Sequence, residues 1–226
     1  IREVVMEAMK VVSTLIRELE SLPERKTAPM REVRRRYSQT LLAENAQYVL
    51  EIAHMIVDTD QHRWIAYELI ADHPEAFHAL NRGKLEALGR GMDCWSVVDS
   101  YSRTLSGPAW RDGLISTQTI HDWAHSPDRW WRRAALVSTV ALNVRTRGGA
   151  GDVSRTLAVC EMLVDDHDDM IVKAMSWALR ELVPHDAEAV RHFLSPHKDK
   201  LAARVKREVR NVLETGLKNP RYRSHR

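Results

Sequence analysis

In CWSVVDS (94–100), Trp95 stands four residues before Asp99 with two valines between them. On a helix this spacing stacks the indole and the carboxylate on one face. A surface aspartate or a salt-bridge partner is the plain reading of Asp99. Placed between tryptophans in a cleft, the same carboxylate can stabilise a developing cation or orient a water. DRWWRRAAL (128–136) sets Arg129, Arg132 and Arg133 around Trp130 and Trp131 at i, i+3, i+4 spacing. Guanidinium forks suit phosphate, although a solvated basic face fits the pattern too. KAMSWALRE (173–181) puts Trp177 on a face with Lys173 and Arg180, beside a core-like run of alanines and Met175. That leaves a core tryptophan flanked by surface charge as its bland alternative.

HDWAH (121–125) imitates a zinc-binding HExxH helix, but aspartate replaces the glutamate base and no third ligand follows. No metal or cofactor is expected. The runs REVRRRY (31–37) and KLAARVKREVR (200–210) are basic helix faces. Such runs are usually solvated, but several on one side would track a phosphate backbone. There is no P-loop, no glycine-rich dinucleotide turn and no nucleophile elbow.

Helices must position these residues. Apolar periodicity near 3.6 runs through most of the 226 residues, with no sustained period-2 run. Val4, Val5, Ala8, Val11, Val12 and Leu15 mark a first helix and APMREVRRRYSQTL (28–41) a second, with Pro29 near its start. Further helices are expected at 45–57, 61–72, 81–90, 94–105, 112–124, 128–144, 152–164, 168–183, 186–194 and 198–216. Prolines fall between them or in first turns. Similar pieces recur at 58–75, 125–142 and 166–186: a polar start, a tryptophan or apolar pair, small residues, then leucines. Helix pairs repeating at about 40–47 residues stack into curved solenoids with a long concave surface. The expected fold is all-α, a HEAT-like helical-repeat solenoid forming one domain over 1–218, with a basic tail at 219–226 that frays.

Composition suits an ordinary soluble protein, with 44% apolar and 29% charged residues. No apolar run approaches the roughly 20 residues of a membrane span, and IREVVMEAMK lacks a secretory pattern. The start at Ile1 rather than Met suggests residues upstream. Two cysteines make neither a disulfide framework nor a zinc quartet, so a reduced, cytoplasmic protein is expected. A net charge of +3 neither demands nor excludes nucleic acid. Seven tryptophans against two phenylalanines is unusual, because a buried indole N–H needs a partner.

With those residues in view, the chain resembles the DNA alkylation-repair family of HEAT-like proteins, the AlkD type of DNA glycosylase. TAPMREVRR (27–35) is similar to its early T-P-x-R helix start and CWSVVDS to its W-W-D-x-V-D-S segment. WWRRAAL (130–136) is similar to W-x-x-R-A-A-I. VKAMSWALRE (172–181) is similar to Q-K-A-I-G-W-x-L-R-E and is the most specific piece, with VKREV (205–209) following. The resemblance spans roughly 25–216. Cys94 stands where the family has a first tryptophan, the loop at 146–153 is longer by RGGAG, and IRELESLPER (16–25) holds no counterpart of the family's N-terminal cleft tyrosine.

The resemblance implies Asp99 as the catalytic carboxylate and Trp95 and Trp177 as walls contacting the lesion and its deoxyribose. It implies Arg133 as the DNA-contacting arginine, with Arg132 the alternative choice, and Arg129, Lys173 and Arg180 as further phosphate contacts. It implies excision of cationic alkylated purines, N3-alkyladenine and N7-alkylguanine, from double-stranded DNA without base flipping. The enzyme would be a monomer, associated with the nucleoid through DNA. A non-catalytic HEAT-like DNA-structure binder or protein scaffold is the competing expectation.

Overall fold

The computed structural model describes residues 2–24, 26–59 and 62–220. Among them the chain is helical throughout, with no strand, as the periodicity requires. Of the basic tail, residues 221–226 lie outside the described residues, while 216–220 follow the last helix as non-helical chain. Backbone contacts gather into two compact units, Ile1–Gly91 and Met92–Arg226.

The first unit holds α1 (Arg2–Glu20), α2 (Thr27–Leu41), α3 (Ala46–Asp58), α4 (Arg63–Asp72), α5 (Pro74–His78) and α6 (Arg82–Gly89). α1 buries Ala8, Val12, Leu15 and Leu19 at i, i+4, i+7, i+11, one apolar stripe. α3 is apolar on two sides, burying Val49, Ile52, Ala53 and Ile56 among others, because it packs against both α1 and α4. The short α5 is a helix that the periodicity does not mark, with Pro74 in its first turn. The buried His73 caps it by accepting the Ala76 N–H.

The second unit holds α7 (Trp95–Tyr101), α8 (Gly107–Arg111), α9 (Thr117–Ala124), α10 (Arg129–Asn143), α11 (Val153–Met162), α12 (Asp169–Leu182), α13 (Ala187–Leu194) and α14 (Ala203–Thr215). Two of the polar starts seen in the sequence supply N-caps, Asp128 and Asp168, which accept from the Trp130 and Met170 N–H groups, and Asp152 and Asp186 cap α11 and α13 likewise, accepting from the Arg155 and Ala189 N–H groups. Two helices start later than the periodicity suggests. Residues 112–116 form a turn through Gly113 at φ 78° to the Ser116 cap of α9, and α14 begins only at Ala203.

The segment after Asp99 continues rather than stopping near 105. A π-helical turn, Ser102–Ser106, joins α7 to α8 and carries the helix past Pro108, which has no N–H to give. This run lies against α10, whose residues Arg133 to Asn143 are all buried. Small side chains permit the close approach. Ser106 and Ser138 hydroxyls meet at 2.7 Å, and a Cβ on Gly107 would sit 2.5 Å from Ala141 Cβ and 2.7 Å from the Ser138 carbonyl. Tryptophan use also becomes clear. Trp123 and Trp131 pack with Tyr101, and buried Trp110 donates its indole N–H to Thr117.

Gly107→Ala is expected to lower stability by about 1–3 kcal/mol through overpacking. Gly83→Ala, whose new Cβ meets only the Asn81 amide oxygen at 3.5 Å, should be neutral or slightly stabilising. Urea unfolding of both variants checks the pair.

Candidate functional site

α7 is short, and its register decides what it shows. Trp95 and Asp99 lie one turn apart on it, with Val98 and Tyr101 turned into the core. Trp95 stays 57% exposed, a large apolar surface left in solvent. α10 brings Arg133, and α12 brings Lys173, Trp177 and Arg180 on successive turns. All six line one open pocket of about 320 Å³ within the second unit, together with Met170, Arg204 and Lys218. Among the described residues, five basic side chains there surround a single carboxylate.

That carboxylate is held by a fork. Arg133 Nε and Nη2 donate to the two oxygens of Asp99 at 2.8 and 2.9 Å, and Nη1 donates to the Met170 carbonyl at the start of α12. The Arg133 side chain is only 5% exposed. Its charge therefore points at Asp99 rather than outward. Burial pushes the Asp99 pKa above its ordinary value of 3.8, against the Arg133 hydrogen bonds, the Arg133 charge and the charge of Arg103. A carboxylate raised in this way contributes stability below its ordinary pKa and loses it as pH rises through the raised value. At neutral pH an ionised Asp99 thus opposes stability.

The indole walls are fixed differently. Trp177 donates Nε1–H to Glu181 at 2.9 Å, and the Arg103 guanidinium lies 5.4 Å from its ring centroid. Lys173 pairs with Asp169 at 2.6 Å on the rim. Arg180 Nε donates to Ser176 at 3.2 Å.

Two expected phosphate contacts stand elsewhere. Arg129 bonds Asp168 at 3.4 Å and stacks over Trp130, and Arg132 bonds Asp166 at 2.8 Å and the Ser126 and Pro127 carbonyls. Neither lines the pocket. Consecutive helix positions differ by about 100°, so Arg133 turns inward while Arg132 meets the preceding loop. Arg103, Met170 and Lys218 lie beyond the sequence reading, and Arg204 enters it only as one residue of the basic run 200–210. Arg103 has a visible signal, since it follows Asp99 by four residues. Arg204 and Lys218 are inconspicuous among the basic residues near the C-terminal end. His125 Nδ1 engages the His121 carbonyl, and among the described residues no three His, Cys, Asp or Glu side chains group for a metal.

The chain matches the family model of the DNA alkylation repair enzymes over residues 25–212. It belongs to the DNA alkylation repair enzyme family. No curated protein and no solved structure gives a significant match. Family membership makes DNA the partner and repair of alkylated DNA the role. Within this family member the matched span contains every pocket residue except Lys218. Among the described residues no helix is long and apolar enough to cross a membrane.

Removing one partner of a nearly dry ion pair strands the other charge. Arg133→Gln should therefore cost about 3 kcal/mol in urea unfolding. In an Asp99→Asn background the same change should cost less by about 1 kcal/mol or more.

Proposed function

We propose that this member of the family is a DNA glycosylase that excises cationic alkylated purines, N3-alkyladenine and N7-alkylguanine, by hydrolysis. The observation that carries this reading is a lone, desolvated carboxylate, Asp99, facing a pocket with two indoles and otherwise basic side chains. Alkylation leaves the purine positively charged, so it departs with the glycosidic electron pair and becomes neutral. The bond that breaks is C1′–N, and positive charge builds on the deoxyribose. Asp99 stabilises that charge at short range, where low dielectric strengthens the attraction. Water adds at C1′ on the face the carboxylate guards and releases its proton to solvent.

The fork from Arg133 uses one acceptor position on each Asp99 oxygen and leaves others for water or sugar. Its work is to aim the carboxylate. This revises the role expected for Arg133, because a guanidinium this buried and this occupied has little left for a phosphate. Lys173 and Arg180 hold backbone phosphates beside the lesion. Trp95 and Trp177 pack against sugar and cationic base, a contact worth about 0.5–2 kcal/mol. With backbone grip and indole walls the base need not enter a deep pocket, so no flipping step is required. The helices then serve as HEAT-like repeats presenting this surface to duplex DNA, and the protein works as a cytoplasmic, nucleoid-associated monomer.

One observation favours a second reading, a non-catalytic DNA-structure binder: both Asp99 oxygens are already engaged by Arg133. Single-turnover release of 7-methylguanine from methylated duplex separates the two. The wild type should release base, and Asp99→Asn should be slower by about 100-fold or more while binding DNA within a few-fold of wild type. An inactive wild type that binds duplex tightly is the result expected of the binder.

A further inference from the structure

Glu208 is an unexpected residue to find beneath a pocket for DNA. It lies on α14 with its side chain 4% exposed, and an acid there opposes phosphate binding if its charge is all that matters. Buried carboxylates persist only when paired and hydrogen-bonded. Glu208 is both. Ser176 donates to Oε2 at 2.6 Å, Arg204 Nε donates to Oε1 at 2.9 Å, and Lys218 Nζ lies 3.4 Å from Oε2. Ser176 in turn accepts from Arg180. Burial, the largest single influence, pushes the Glu208 pKa up. The Ser176 hydroxyl, Arg204 and Lys218 together outweigh it and hold the group below its ordinary value of 4.5.

The chain is also built to bring Lys218 back. Gly216 takes a left-handed conformation at φ 72°, ending α14 and reversing the backbone. Asn211 Nδ2 then donates to the Lys218 carbonyl at 2.9 Å. The arginine, the lysine and, through a hydroxyl, Arg180 are thus tied to one buried anchor, and all three line the pocket that holds Asp99.

We propose that Glu208 is a positioning residue that fixes Arg204, Lys218 and, through Ser176, Arg180 as a clamp for one backbone phosphodiester of the bound duplex. The proposal rests on DNA binding at this pocket and not on base excision. Preorganised donors lose less freedom when the phosphate arrives than mobile surface chains do. The anchor neutralises one of these positive charges, and Arg204 Nη1 also lies 3.5 Å from Asp169 on the rim.

The sign of one substitution tests this. Glu208→Gln makes the protein more positive, so simple charge attraction predicts tighter DNA binding. The clamp predicts the opposite, about tenfold weaker binding of an undamaged duplex in fluorescence anisotropy. It also predicts a raised KM for base release with kcat unchanged. Arg204→Gln/Lys218→Gln should make the slope of log K against log salt shallower by about one, since a single phosphate is lost. Both side chains are more than a third exposed, so this variant decides the matter even where Glu208→Gln fails to fold. Glu208→Gln that melts like wild type yet binds as tightly or more tightly overturns the proposal. A wild-type salt slope in the double variant overturns it as well. The binding readouts hold whether or not the wild type releases base.

Discussion

The fork between Arg133 and Asp99 joins three helices. Arg133 leaves α10, takes both oxygens of Asp99 on α7, and caps the contact on the Met170 carbonyl of α12. A guanidinium can do this because its five donors lie in one rigid plane, so one side chain fixes a carboxylate and a backbone oxygen together. Taking both charges out of water is expensive, and well-packed apolar residues of similar volume often serve stability as well or better. The pair is better understood as orientation than as glue. It fixes where a carboxylate with a raised pKa points, and the indoles of Trp95 and Trp177 are arranged around that direction.

The fork needs α7 close to α10, and that closeness comes from small residues. Gly107, Ser106, Ser138 and Ala141 let the run through the π turn settle against α10. The π turn also absorbs Pro108, so Asp99 stands on a helix that continues for almost three turns beyond it. The half-buried Asp99 and the buried Glu208 then behave oppositely. Burial wins at Asp99 and raises its pKa, whereas hydrogen bonds and cations win at Glu208 and lower it. By linkage Glu208 supports the fold above its ordinary pKa and loses that support as pH falls through its lowered value. Asp99 does the reverse.

Much of this was legible in the sequence because it is local. Helical periodicity marks nearly every element, and i, i+4 spacing alone puts Trp95 with Asp99 and Lys173 with Trp177. What could not be read depends on neighbours distant in sequence. Arg129, Arg132 and Arg133 look equivalent as three arginines around two tryptophans. Only packing against α7 and α12 turns Arg133 inward and leaves the other two to Asp168 and Asp166. Glu208 hides in a basic run because its partners, Ser176 and Lys218, come from α12 and from the turn after Gly216. The short α5 was obscured because proline opens helices as readily as it ends them, and only the His73 cap distinguishes the two.

If excision depends on ionised Asp99, the acid limb of the reaction, read as single-turnover 7-methylguanine release, reports on that form directly. The lesion is already cationic, so its departure needs no proton, and an acid limb that Asp99→Asn lacks belongs to Asp99 rather than to the duplex. The rate should be flat at neutral pH and fall with loss of one ionised group at a midpoint above 3.8, with no such limb in Asp99→Asn. A wild-type rate that stays flat down to pH 3.8, or the same limb in the asparagine variant, would contradict that dependence.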